Sequence, residues 1–112
     1  MNYYIWLILL RNAVSCLSNI TKKSNINLHP HYQIRKLQRH INNKWVYDCI
    51  IKEELVGILK QSDDKFRLYY QHPIIPKTHD LIIVVVINDL ITKDITVVTS
   101  YKQTIKKRER RK

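Results

Sequence analysis

Apolar residues are spaced along this chain in three ways, and each predicts a different kind of element. From Tyr3 to Leu10 (YYIWLILL) they run without a break. Between Pro30 and about Gln61 they recur at helical intervals. Beyond Phe66 they alternate with polar residues or crowd into β-branched runs, so the period drops from 3.6 to 2 near Ser62-Asp63-Asp64.

The first helix is predicted from Pro30, suited to a first helical turn, to about His40. Asn42-Asn43 breaks it and caps a second helix, about Lys44 to Gln61. The apolar positions of that helix are Trp45, Cys49, Ile50, Leu55, Ile58 and Leu59, and Gly57 weakens its end. Phe66, Leu68 and Tyr70 alternate with Arg67, Tyr69 and Gln71 as in a half-exposed strand. Residues 71–80, with Pro73 and Pro76, read as a loop. Leu81 to Ile87 (LIIVVVI) reads as a central strand buried on both faces, and Asp94 to Tyr101 as the last strand. The predicted class is α+β: two N-terminal helices packed on a small antiparallel sheet of three to four strands, plus an extra N-terminal apolar helix. Residues 1–28 form that apolar helix and an Asn-rich linker, 29–103 the domain, and 104–112 a basic tail.

Charge changes the picture from fold to partner. The chain carries a formal +11 over 112 residues, which favours a polyanion: nucleic acid or an anionic membrane surface. Residues 102–112 hold seven Lys and Arg against Glu109, yet the remainder is basic too. A single glycine, Gly57, rules out a phosphate-cradling glycine loop and a dinucleotide fingerprint. Cys16 and Cys49 are too few for a disulfide framework and read as buried thiols in a reducing cytoplasm. The uncharged N-terminal run is too short to span a bilayer, and no basic residue precedes it as in a secretory signal. Residues 3–17 therefore read as a packing helix or a dispensable extension in preference to a membrane contact. His29 and His31 are separated by Pro30, and His72 and His79 sit in the proline-bearing loop with Asp80, reading as exposed loop histidines. Neither set supplies the three ligands of a catalytic zinc site, so no metal or cofactor is expected.

The candidate chemistry lies in the first helix. His31, Arg35 and Arg39 recur every fourth residue, and each such step turns the side chain by only about 40°. They share one strip, while Ile34, Leu37 and Ile41 fall together on a different side, roughly 100–160° from its midline, and are expected to pack. An imidazole beside two planar cations suits a phosphodiester. A basic stripe on a helix is, however, ordinarily a solvated face, and Arg35 and Arg39 suit an acidic protein equally.

The pattern H-x3-R-x3-R-x-I at His31, Arg35, Arg39 and Ile41, followed by a second helix and strands ending in V-V-T-S-Y, resembles a family of small bacterial and archaeal domains. That family opens with a signature like HALERMEERGI and is grouped with RelE-like and colicin-D-like ribonuclease toxins in the barnase–EndoU–colicin–RelE fold. The likeness covers roughly residues 29–103, with His40 standing where the family usually has glycine. It implies a RelE-like fold and a metal-independent RNase, or a degenerate relative. In that chemistry the ribose 2′-OH attacks its own phosphate and needs a base, an acid and charge stabilisation. His31 is the candidate acid–base group, Arg35 and Arg39 the phosphate clamp. Thr99 and Tyr101, expected on one strand face with Ile95 and Val97, would add hydroxyls. Lys36, Arg67, Lys102, Lys106, Lys107 and Arg108 are the candidate nucleic-acid grip, with Tyr69 beside Arg67 to stack on a base. The expected function is an RNase toxin of a toxin–antitoxin pair, with RNA and an acidic antitoxin as partners. The alternatives are a non-catalytic RNA- or ribosome-binding module and a partner-binding structural protein.

Overall fold

The run Leu81–Ile87 dictates the centre of the molecule, because six of its seven residues are β-branched and none is polar. Such a run is hidden only when both faces of a sheet are covered. Strand β4 (His79–Asp89) is accordingly flanked by β3 (Lys65–Gln71) and β5 (Asp94–Thr104), both antiparallel, and Leu81, Ile82, Ile83 and Val85 are fully buried. The computed structural model describes residues 15–17, 19–89 and 91–109, with Arg108 and Glu109 described by backbone alone. The expected N-terminal apolar helix, including Trp6, and the side chain of Arg108 lie outside these residues.

The sheet corrects the predicted class. It has five strands, not three or four, and is mixed rather than antiparallel, in the order β1-β5-β4-β3-β2. Strand β1 (Ile26–Leu28), inside the supposed linker, pairs parallel to β5. Its asparagines serve the pairing. Asn25 Nδ2 donates to Thr92 O and Asp94 Oδ1, and Asn27 Nδ2 donates to Ile95 O, tying the segment to the start of β5. Strand β2 (Gly57–Lys60) occupies the end of the supposed second helix. Helix α2 (Asn43–Lys52) instead stops where Glu53 turns extended. Helical periodicity continues past that point, but glycine costs about 1 kcal/mol inside a helix, and pairing with β3 satisfies the backbone equally. At Gly57 the Tyr69 ring of β3 crosses at 3.4 Å from where a Cβ would stand.

Helix α1 (Pro30–Gln38) starts as expected: the His29 ring Nδ1 accepts from the His31 amide, and Pro30 needs no partner for an N–H. Its packing face is the reverse of the one expected. Tyr32 is fully buried, its hydroxyl donating to Asn43 Oδ1, while Ile34 and Leu37 are 64% and 73% exposed. The aromatic side chain at the first turn buries more surface than either aliphatic, so it sets the rotation. Ile41 is buried as expected, but from beyond the helix end. There Ile41 N donates to Lys36 O, the long bond of a Schellman closure.

Strand β5 holds a second reversal. Val84 pairs with Thr99 but Val85 with Val97, so Val98 is an extra residue, a β-bulge. The bulge moves Thr99 and Tyr101 off the face of Ile95 and Val97. They share the register of Val84 and Ile82 on the far face. The main core lies between the helices and Phe66, Leu68, Tyr70, Leu81, Ile83, Val85, Ile95 and Val97. A smaller cluster on the other face centres on Tyr69, Ile82 and Val84. Cys16 and Cys49 are both buried and unpaired. Among the described residues, no helix is long and apolar enough to cross a membrane.

Candidate nucleic-acid interface

Strand β1 is three residues long and β5 eleven, so β5 outruns its parallel partner after Val97. Chain continuity then lays α1 beside the uncovered part of β5. The end of α1 brings Arg39 to that edge. Its Nη1 donates to Thr99 Oγ1 at 2.7 Å and to Ser100 O at 3.1 Å, and its Cζ lies 5.6 Å from the centre of the Tyr101 ring. A guanidinium held by a hydroxyl, a carbonyl and an aromatic face is oriented in advance for an anion.

A cleft opens in front of Arg39 and encloses about 480 Å³. Gln38, Arg39, His40 and Ile41 supply one wall. Trp45 of α2 and Ile74 and Ile75 of the β3–β4 loop supply an apolar one. Tyr101 and Lys102 close it from β5, with His72 set between. No lining residue carries a carboxylate. Among the described residues the ion pairs join Lys44 and Lys52 to Asp48 and Lys60 to Asp63, so none reaches the cleft. The acidic side chains Asp48 and Glu53 line a neighbouring cavity of about 260 Å³ beyond Trp45 and His72. The two cavities thus differ in charge across one aromatic partition.

His72 is not the exposed loop histidine that its proline-rich surroundings suggest. It is 6% exposed, and its Nδ1 accepts from the amides of Ile74 (3.1 Å) and Ile75 (3.3 Å). With Nδ1 an acceptor, the ring proton is assigned to Nε2. Burial holds its pKa below the ordinary histidine value, and His79 and Lys102 push the same way. The Trp45 ring meets it edge-on, 5.3 Å between centres. His40 also lines the cleft, with φ 55, the left-handed conformation that glycine adopts without strain. A histidine there carries backbone strain in order to present a side chain. Proline-bearing loops and positive-φ positions hide such residues from periodicity.

The residues expected at the site are dispersed unequally. Arg39, Thr99 and Tyr101 meet. His31 and Arg35 are exposed on α1 and do not line the cleft. Successive steps of four rotate Arg39 inward, toward the buried side of Tyr32, and leave the other two in solvent. Lys102 joins the cleft, Lys36 is half-buried on α1, and Lys106 and Lys107 are exposed on α3 (Ile105–Glu109). Arg67 pairs in register with Val84, on the far face of the sheet, and its Nε is buried without a hydrogen-bond partner. Tyr69 is 4% exposed, so it offers no ring for stacking. Cys49 is not a nucleophile: burial pushes its thiol up to about 12. Among the described residues, no three His, Cys, Asp or Glu side chains group to hold a metal ion.

Fold and cleft together define a small domain on a mixed five-stranded sheet, with one strand left half-covered and an acid-free cleft beside it. By sequence the chain belongs to the MJ0788 family, which it matches over residues 11–85. That span includes Arg39, His40, Trp45 and His72 and stops short of β5. No curated protein and no solved structure matches the chain. The family's description names no activity.

Proposed function

We propose that this protein is a cytoplasmic RNA-binding module that grips the phosphodiester backbone through the cleft at the end of α1. One observation carries the reading: Arg39 is immobilised by Thr99, Ser100 and Tyr101 at the head of a cleft that contains Lys102 and no carboxylate. Fixed guanidinium groups select phosphate by geometry as well as charge. Arg35, further along the same helix, and Lys106 and Lys107 on α3, just beyond the end of β5, add exposed cations. Contacts of this kind bind a backbone without reading sequence and weaken steeply with salt.

RNA cleavage of the RelE or colicin-D type is the second reading, and the meeting of Arg39 with the Thr99 hydroxyl and the Tyr101 ring favours it. The exposure of His31 away from the cleft weighs against His31 as its acid–base group. One experiment separates the readings. Purified protein is mixed with labelled RNA in chelator, and binding and product are followed together for the parent, H31A, R35A and R39A. Binding that R39A weakens most, with intact RNA throughout, supports the module. Product that H31A abolishes establishes the nuclease. RNA that fails to bind at low salt, with capture of an acidic antitoxin-like protein in its place, removes both.

A further inference from the structure

We infer that the cleft seats one unstacked nucleotide, base and phosphate together, so that the substrate is single-stranded RNA rather than duplex. The inference rests on the RNA-binding reading and adds to it the form of the substrate. A surface that only tracked phosphates would need cations on a shallow ridge. This cleft is a half-open groove of about 480 Å³, and it is amphipathic. Its cationic end is Arg39 and Lys102. Its other walls are the Trp45 indole and the aliphatic chains of Ile74 and Ile75, with Ile74 66% exposed at the lip. Volumes of this order suit a small organic ligand, and a flat ring beside an anion is the chemistry these walls complement.

Trp45 is held for the purpose. It packs partly against the main core and meets His72 edge-on, and His72 is pinned by two backbone amides. A fixed indole is a stacking platform available to any base. The donors on the cleft side, guanidinium, ammonium and the phenol of Tyr101, face phosphate and base-edge acceptors, and no carboxylate opposes them. Bases in a duplex are already stacked and paired and cannot enter a groove of this kind, whereas bases in loops and ends can.

The test uses the full chain carrying W6F, which leaves Trp45 as its single tryptophan. Indole fluorescence is titrated with adenosine 5′-monophosphate, ribose 5-phosphate and inorganic phosphate. Anisotropy is measured with a labelled single-stranded octamer and a duplex of the same length. The nucleotide should quench Trp45 and displace the octamer, and ribose 5-phosphate should do so about tenfold less well. The octamer should lose about tenfold in affinity in W45L, while the weaker duplex binding stays unchanged. I74S, at an exposed position that cannot unfold the core, should weaken the octamer and leave phosphate alone; it keeps the test decisive if W45L misfolds. Equal affinity for octamer and duplex, indifferent to W45L and I74S, overturns the base pocket and leaves the phosphate grip standing. Absence of binding to either RNA overturns the grip itself.

Discussion

The two halves of β5 are held in different ways. From Ile95 to Val97 the strand is paired on both sides, by β1 and β4, and Ile95 and Val97 are fully buried. From Thr99 onward it keeps β4 alone, and the edge that a strand would cover is met by a guanidinium. The first half is stabilised by area removed from water; the second is held by polar contacts that leave room for a ligand. A sheet edge presents unpaired amides and carbonyls. Closing one with Arg39 satisfies Ser100 and at the same time fixes a cation at the mouth of a cleft. The bulge at Val98 marks the change of regime, because it turns Thr99 toward the register of Val84 and away from the core.

The largest effect should come from the closed half. Ile95→Ala removes a fully buried side chain and should cost about 2–5 kcal/mol, read by denaturant unfolding, while the RNA affinity of the folded fraction stays as it was. Similar loss of stability from Arg39→Ala would break the comparison. Arg39→Ala should instead cost about 1.5–3 kcal/mol of RNA binding, upward of tenfold, with a smaller change in melting. Arg39→Lys should recover little of it, because an ammonium cannot hold two acceptors and a ring in one plane. Lys102→Gln should lower the slope of log affinity against log salt by about 1.

Acid should loosen the cleft before the core. Native His72 resists protonation, so below its ordinary value of 6.5 the unfolded chain binds more protons than the folded one. Its contribution is complete above that pH and declines as pH falls toward the depressed native value. Thermal melts across pH 5–8 should show that decline in the parent and a flatter profile in His72→Gln. The smallest change is His40→Gly. It should raise stability by about 1 kcal/mol by relieving the left-handed backbone, yet weaken RNA binding; a gain in stability with no change in binding would show that His40 takes no part.

Parts of this arrangement are legible from residue order alone. The β-branched run of β4 admits one solution, and Pro30 with the Asn42 cap marks two helix starts that the structure keeps. Of the three residues that the four-residue spacing groups, Arg39 alone meets Thr99 and Tyr101, and the face argument that joined Thr99 and Tyr101 to Ile95 and Val97 fails at the bulge. The failures share a cause. Ile34 and Leu37 have the right spacing to pack, but Tyr32 wins the inward position. Residues 53–60 have helical periodicity, but β3 had an open edge for Gly57–Lys60 to fill. Ile26–Leu28 is too short to read as a strand until β5 is there to receive it.

Strong local preference thus settled the central strand, the helix starts and the basic character of the chain, since charge and β-branching act wherever a residue lies. Long-range competition settled the rest: which side of α1 turns inward, where β5 bulges, and that His72 is buried beside Trp45. Those outcomes depend on which segment reaches a shared face or edge first with the larger buried area. No spacing along a single segment encodes that quantity, and the cleft exists only because of it.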